Sequence, residues 1–265
     1  MNFRTIVEVP RPGFTVEPLQ PMLFVGSCFA ENIGKRFAEE GFPVTVNPFG
    51  VMYNPVSVLH TVERWEGRAD VAFLTLGTNH VYRLKETGEI VDNCQKRPHQ
   101  LFQEETLSVD DCTAALVKVV DTLVERQPHI HVVVTVSPIR YAKYGFPGSQ
   151  LSKAVLLLAA HQLAGRYPCV EYFPAYEIVL DELRDYRFYQ SDMLHPSAQA
   201  VEFIWEKFVE AYFSQRAKQY LEDWRPVKEA LGHKPFHPDS EAYQQFLAQT
   251  KEKEKSVRAQ YINKV

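Results

Sequence analysis

The sequence predicts an α/β protein with a doubly wound, mainly parallel sheet of five strands and helices on both faces. Short apolar runs alternate with segments of helical periodicity along residues 22–212, which is the pattern of parallel strands joined by crossover helices. The run 130–136 is almost wholly apolar, as a strand covered on both faces requires. The chain has 265 residues, 45% of them apolar and 23% charged, which is an ordinary globular composition.

Five short apolar runs are the predicted strands. They cover residues 22–25, 42–46, 71–76, 130–136 and 170–173. Gly26 closes the first run, Asn47-Pro48 breaks the second, and Gly77 ends the third. These turn signals keep each run within the length of a single strand.

Five predicted helices follow these strands. They cover about residues 29–40, 55–65, 108–124, 150–164 and 196–212. Apolar residues at four-residue spacing line one face of the first helix. Pro55 suits the first turn of the second helix, and Ser108 with Asp111 begins the third. Gly165 ends the fourth helix, and the fifth begins near Pro196.

Two segments depart from this alternation. Residues 81–102 contain two strand-like runs around Thr87-Gly88, which predicts a β-hairpin inserted into the main pattern. From about residue 224 the apolar pattern loosens. We therefore divide the chain into an α/β domain, residues 1–223, with the hairpin insertion at about 81–102, and a C-terminal helical extension, residues 224–265.

Charge and composition exclude several classes of function. The chain has 29 basic and 33 acidic residues, so no basic excess is available for a nucleic-acid backbone. No apolar run reaches the ~18 residues that a membrane helix needs, and no signal-peptide pattern is present. We therefore expect a cytoplasmic protein that binds neither nucleic acid nor membranes. The four widely spaced cysteines predict reduced thiols, and we expect neither a metal nor a cofactor.

Polar residues at the carboxyl ends of the predicted strands form the candidate site, because ligands bind at that edge of open α/β sheets. Ser27 follows the first strand and precedes a helix, a placement that suits a nucleophile. Asp192 and His195 lie one turn apart, so the carboxylate can hold Nδ1 while Nε2 faces the serine. The backbone N–H groups of Ser27 and Gly50, with the Asn79 amide, would form an oxyanion hole.

Each of these residues has a structural alternative. Ser27 could serve only as a helix cap, and Asp192 with His195 could be an ordinary capping pair before the last helix. Cys28 is expected to pack as a small core residue rather than act as a nucleophile. Arg140, after the fourth strand, is either a surface ion-pair residue or an anchor for a substrate carboxylate or phosphate.

The same part of the chain resembles a known family. The string Gly26-Ser27-Cys28-Phe29-Ala30 is similar to the signature of the GSCFA family, a bacterial branch of the SGNH (GDSL-like) hydrolase superfamily. The resemblance extends over roughly residues 20–210. It includes the segments NPFGVMYNP at 47–55, GTNHVYRL at 77–84, NCQK at 93–96, SPIRY at 137–141, QLSKAVLLLA at 150–159 and YQSDMLHPS at 189–197.

The resemblance implies a serine hydrolase with a Ser-His-Asp triad. It places the superfamily's nucleophile on Ser27, its oxyanion glycine and asparagine on Gly50 and Asn79, and its aspartate and histidine on Asp192 and His195. The expected activity is that of an esterase acting on a small-molecule or carbohydrate ester, such as an O-acetylated sugar. The alternatives are an acyltransferase with the same triad, or a non-catalytic binding or scaffold protein on the same fold.

This sequence also departs from the superfamily pattern. No aspartate precedes the serine in Val25-Gly26-Ser27-Cys28, and His80 stands where the superfamily has aspartate. Asn93, within the hairpin insertion, is the alternative to Asn79 as the third oxyanion donor.

Overall fold

The computed structural model describes residues 4–92, 94 and 97–262. Its centre is a five-stranded parallel sheet with the strand order β2-β1-β3-β7-β8, beside a three-stranded antiparallel sheet with the order β5-β4-β6. The strands are β1 (Met22–Gly26), β2 (Val44–Val46), β3 (Val71–Leu76), β4 (His80–Leu84), β5 (Ile90–Val91), β6 (Phe102–Thr106), β7 (His131–Val136) and β8 (Val170–Tyr172).

Eight α-helices are present in the described part of the chain. They are α1 (Cys28–Glu39), α2 (Pro55–Arg64), α3 (Val109–Arg126), α4 (Gly145–Arg166), α5 (Ala175–Glu177), α6 (Ala198–Tyr212), α7 (Gln215–Gly232) and α8 (Glu241–Tyr261). The short α5 runs on into a π-helical turn, Ile178–Leu183. Within the described residues, no helix is both long and apolar enough to cross a membrane.

The helices bury both faces of the main sheet, which confirms the predicted doubly wound α/β fold. One apolar core joins α1, α6 and α7 to side chains such as Phe24 and Phe73. The other joins α2, α3 and α4 to alternate residues of the same strands, such as Leu23 and Leu74. Every residue of β1 and β3 is buried, as apolar runs covered on both sides must be.

The strand order creates a switch point between β1 and β3. The chain passes from β1 to β2 on one side, and then returns to the other side of β1 to form β3. The helices that follow β1 and β2 therefore lie on opposite faces, which opens a crevice at the carboxyl ends of β1 and β3. Ser27 follows β1 directly and lies at this position.

The predicted hairpin is present, and a third strand extends it. Tyr82 pairs with Val91 across the hairpin, while His80 pairs with Thr106 on β6. The sequence analysis did not predict β6. Most of its side chains are exposed or half-buried, so its sequence FQEET carries only a weak apolar signal.

The C-terminal helices pack onto the end of α1. Trp224 Nε1 donates a hydrogen bond to Glu39 O at 2.9 Å, and Tyr220 Oη donates one to Glu40 O at 2.9 Å. The predicted division between residues 223 and 224 falls inside α7, so a continuous helix crosses it.

Candidate active site

Ser27 lies where β1 turns into α1. Gly26 has φ +144°, and a Cβ at this position would lie 2.2 Å from Thr75 O, so only glycine allows β1 to approach β3 this closely. Ser27 is the N-cap of α1, and its Oγ accepts a hydrogen bond from Phe29 N at 3.2 Å. The predicted strand-to-helix placement is therefore present, and so is the capping role.

The Ser27 hydroxyl is fully buried in a cluster of three hydroxyl groups. Its Oγ donates to Ser137 Oγ at 3.0 Å and lies 3.3 Å from Thr75 Oγ1. We call Ser27, Thr75 and Ser137 the hydroxyl cluster. It brings together the ends of β1, β3 and β7. The sequence offered a signal for it, since Thr75 and Ser137 are polar residues in or directly after otherwise apolar strands.

Asp192 and His195 form a close pair on the loop before α6. His195 Nδ1 lies 2.6 Å from Asp192 Oδ2, and Asp192 Oδ1 accepts hydrogen bonds from Leu194 N at 2.8 Å and His195 N at 3.0 Å. These backbone bonds, with the imidazole contact, lower the pKa of Asp192 to about 2. The carboxylate therefore fixes the orientation of the ring. His195 Nε2 has no hydrogen-bonding partner among the described residues.

Arg140 fastens this loop to the segment that follows β7. Its N–H donates to Leu194 O at 3.0 Å, and its Nη1 donates to Met193 O at 2.9 Å. Its guanidinium also lies over the ring of Phe146, 4.1 Å from the centroid. Arg140 thus places the Asp192–His195 pair at the sheet edge where Ser137 meets Ser27. Its predicted role as a substrate anchor stays a prediction.

The triad is not closed in this structure. Ser27 Oγ has its hydrogen-bonding partners in the hydroxyl cluster and at Phe29 N, and within the described part of the chain none of them is His195. The structure therefore brings the serine and the imidazole to one edge without joining them. The roles of Ser27, Asp192 and His195 remain proposals.

The predicted oxyanion donors are already engaged. Ser27 N donates to Thr75 O at 3.2 Å and Oγ1 at 3.1 Å, and Gly50 N donates to Asn47 O at 2.8 Å. Asn79 Nδ2 donates one of its two amide hydrogens to Leu107 O at 2.7 Å. Asn93, the alternative donor, lies outside the described residues. An oxyanion hole at these positions requires a local change of hydrogen bonding.

Two further ionisable groups lie near Ser27. Cys28, the first residue of α1, is partly exposed and packs against the core, as expected, and burial raises the pKa of its thiol. Lys153 on α4 is almost fully buried, and burial lowers its pKa to about 7. The sequence analysis assigned Lys153 no role, because a single lysine in an apolar helix gives no sign of which side it faces.

His80 belongs to a separate polar group. Its ring stacks on Tyr144 with centroids 3.6 Å apart, and Glu104 accepts hydrogen bonds from Tyr144 Oη and Lys143 Nζ. These contacts fasten the antiparallel sheet to the segment after β7. Within the described residues, no group of three or more His, Cys, Asp or Glu could hold a metal ion.

Comparison with family models gives two matches. The model of the GSCFA family matches residues 21–69 and 66–208, and the model described as the GSCFA domain protein, C-terminal domain, matches residues 224–263. No curated protein matches this chain.

Several solved structures are similar at low identity. A member of the lipolytic protein G-D-S-L family from Veillonella parvula is 13% identical, with 72% of this chain and 97% of that chain covered and a TM-score of 0.47. An acetylxylan esterase from Geobacillus stearothermophilus is 14% identical, with 76% and 98% covered and a TM-score of 0.46. A carbohydrate esterase family 3 protein from Talaromyces cellulolyticus is 10% identical, with 77% and 99% covered and a TM-score of 0.45. At these values, the substrates of those proteins do not transfer to this chain.

Proposed function

The chain belongs to the GSCFA family, and we propose that it is a serine hydrolase acting on ester bonds in small-molecule or carbohydrate esters. One observation carries the proposal. Asp192 holds Nδ1 of His195 and leaves Nε2 free, on a loop that Arg140 fastens to the edge where Ser27 caps α1. An imidazole oriented by a carboxylate, on a loop tied to the sheet edge that carries a serine at a helix N-terminus, supports a general base and a nucleophile.

In the proposed reaction, Ser27 Oγ attacks the ester carbonyl and passes its proton to His195 Nε2. The ester C–O bond then breaks, and His195 returns the proton to the leaving alcohol. Water hydrolyses the resulting acyl-serine by the same steps and releases the carboxylic acid. For this chemistry, Ser27 Oγ must donate its hydrogen to His195 Nε2, and Ser137 Oγ can then donate to Ser27 Oγ across the same 3.0 Å contact, because a hydroxyl both donates and accepts.

The oxyanion needs donors that the resting structure engages elsewhere. The Ser27 N–H lies at the N-terminus of α1, where the helix dipole favours negative charge. The second amide hydrogen of Asn79 and the Gly50 N–H, once released from Asn47 O, would complete the hole. The same residues would support transfer of the acyl group to an alcohol instead of water.

A thiol nucleophile is the second candidate, and the exposure of Cys28 favours it. Cys28 is the partly exposed neighbour of a fully buried serine, at the same helix N-terminus. The acyl-enzyme would then be a thioester, with His195 again as the base. Against this candidate, burial raises the pKa of the Cys28 thiol, and so lowers the fraction of reactive thiolate.

The test is turnover of p-nitrophenyl acetate together with labelling by a fluorophosphonate, with the labelled residue identified by mass spectrometry. We expect the label on Ser27, and its loss with turnover in Ser27→Ala. Ser108→Ala is the matched control, because Ser108 caps α3 through the same kind of bond and lies outside the site. It should keep full turnover.

The two nucleophiles give opposite results in this experiment. If iodoacetamide and Cys28→Ala each abolish turnover while Ser27→Ala retains it, the nucleophile is the sulfur. If neither reagent labels the protein and no ester is hydrolysed, the chain is a non-catalytic member of the family.

A further inference from the structure

Lys153 is a buried cation without a counter-charge. Its side chain lies on the inner face of α4, and its Nζ donates hydrogen bonds to Gly77 O and Ser137 O, each at 2.7 Å. The Tyr141 ring centroid lies 5.1 Å from Nζ. Within the described residues, no carboxylate bonds to this ammonium. Burying an unpaired charge is costly, whereas methionine would fill the same volume without that cost. Packing alone therefore does not explain a lysine at position 153.

The two carbonyls that Lys153 binds belong to the candidate site. Gly77 directly follows β3 and begins the turn that carries Asn79. Ser137 directly follows β7, and its Oγ accepts the hydrogen bond of Ser27 Oγ at 3.0 Å. The Lys153 ammonium thus joins the ends of two neighbouring strands. A single residue, Ser137, connects it to the proposed nucleophile.

Lys153 also adds positive charge where the proposed reaction develops negative charge. Ser27 caps the N-terminus of α1, which is the positive end of that helix. The titratable groups shown beside Lys153 are Cys28 of α1 and Tyr141 after β7. Burial raises the pKa of Cys28 and Tyr141, so both stay protonated and uncharged near neutral pH. Lys153 is therefore the group of this set that carries positive charge when protonated.

We infer that Lys153 is a positioning residue of the proposed ester hydrolysis. Its ammonium holds the ends of β3 and β7 together and, through Ser137, fixes the position of Ser27 Oγ in a positive field. The inference rests on the proposed function. Burial lowers the pKa of Lys153 to about 7, so its charge is lost as the solution becomes alkaline. Turnover should then fall above that pH.

The decisive variant is Lys153→Met, which removes the charge and both hydrogen bonds with little change of volume. We expect kcat for p-nitrophenyl acetate to fall at least about tenfold with KM within about twofold, because the nucleophile is displaced while substrate contacts remain. The alkaline decline of turnover should vanish with the lysine. Lys118→Met is the matched control, since Lys118 is exposed on α3, and it should keep both kcat and the alkaline decline. Unchanged kcat, or an unchanged alkaline decline in Lys153→Met, would overturn the inference.

Ser137→Ala distinguishes the contact of Lys153 with the Ser137 carbonyl from the contact of Ser27 with the Ser137 hydroxyl. It keeps the carbonyl that Lys153 binds and removes the hydroxyl that Ser27 contacts, so kcat should fall while the alkaline decline remains. The double variant should be no slower than Lys153→Met alone, because both changes break one path. If the double variant loses kcat by the product of the two single-variant factors, Lys153 does not act through Ser137. Should Lys153→Met fail to fold, Ser137→Ala decides alone, and an unchanged kcat would refute the path.

Hydrogen exchange tests the clamp independently of activity. In Lys153→Met, the backbone amides of residues 77–79 and of Ser137 and Ile139 should exchange faster than in the wild type and in Lys118→Met. Unchanged exchange shows that no clamp exists, whatever the activity. If Lys153→Met exchanges faster but the wild-type protein hydrolyses no ester and is not labelled by the fluorophosphonate, the proposed function is refuted and the clamp is retained.

Discussion

Ser27 has two roles in this structure, and one substitution separates them. Its Oγ caps α1 through Phe29 N, so Ser27→Ala should lower the free energy of unfolding by about 1 kcal/mol, as Ser108→Ala should for α3. Turnover should disappear only in Ser27→Ala. Chemical denaturation and ester hydrolysis, measured on both variants, check this prediction. Loss of stability in Ser27→Ala with turnover retained would leave capping as its function.

Asp192 should stay ionised throughout any practical assay. Its pKa is lowered to about 2 from the ordinary 3.8, so its stabilising effect is present above pH 3.8 and is lost as the pH falls through about 2. A decline of turnover on mild acidification would therefore not come from Asp192.

Replacing the Asp192 carboxylate should affect kcat strongly. Asp192→Asn cannot hold the imidazole in the tautomer with a proton on Nδ1, so kcat should fall about 10²-fold to 10⁴-fold. Asp185→Asn is the control, because Asp185 Oδ1 accepts a similar hydrogen bond from Arg187 N in a nearby exposed turn. Equal turnover in the two variants would argue against a triad.

Lys153 should also make stability depend on pH. Its pKa is about 7 in the folded protein and 10.5 for an ordinary lysine, so between these values the unfolded chain binds one more proton. The free energy of unfolding should then rise with pH over that window, by at most about 1.4 kcal/mol per pH unit from this group. Denaturation at several pH values should show this slope in the wild type and a flatter one in Lys153→Met. Equal slopes would mean that Lys153 titrates normally.

The residues at the strand ends could be predicted, whereas their partners could not. Ser27 and the Asp192–His195 pair follow from local signals, a strand-to-helix turn and a short spacing. The contact between Ser27 and Thr75 joins residues 48 apart in the sequence, and only the pairing of β1 with β3 brings them together. The engaged Gly50 and Asn79 donors likewise depend on loop geometry that a sequence pattern does not encode.

At the level of whole elements, the sequence signals worked best where burial is greatest. All five strands of the main sheet were predicted, because both of their faces are covered and the runs are apolar. The C-terminal helices were less clear, because α7 and α8 bury only one side and carry many charged residues. Pro226 lies inside α7 without ending the helix.

The turn after α1 tests how tightly the C-terminal helices pack. Gly41 has φ +75°, and a Cβ there would lie 2.5 Å from the Trp224 ring. Gly41→Ala should therefore lower the free energy of unfolding by more than about 1 kcal/mol, from backbone strain and the clash together. Gly165→Ala is the matched control, because a Cβ at this helical position meets no atom within 4 Å. It should raise stability by up to about 1 kcal/mol. Equal effects would mean that Trp224 does not cover this turn.

In the molecule as a whole, the C-terminal segment belongs to the core of the α/β domain. Trp224, Val227, Val257 and Tyr261 lie in the same apolar cluster as α1 and α6. The family models divide the chain near this point, with the second match beginning at residue 224, yet α7 crosses that division without a linker. The separate family match from residue 224 onward therefore does not make this segment structurally separate from the α/β domain.

Two truncations test this dependence. A chain ended after residue 223 loses Trp224 and half of α7, and it should fail to unfold cooperatively because α1 loses the cover over its C-terminal end. A chain ended after residue 238 keeps α7 and loses only α8. It loses the Arg258 Nη1 bond to Gly41 O and the burial of Val257 and Tyr261, but keeps the Trp224 contact. It should therefore stay folded with a lower midpoint of thermal unfolding. Calorimetry on the full chain and both truncations decides the matter, and an unchanged cooperative transition in the shorter chain would show that the α/β domain folds alone.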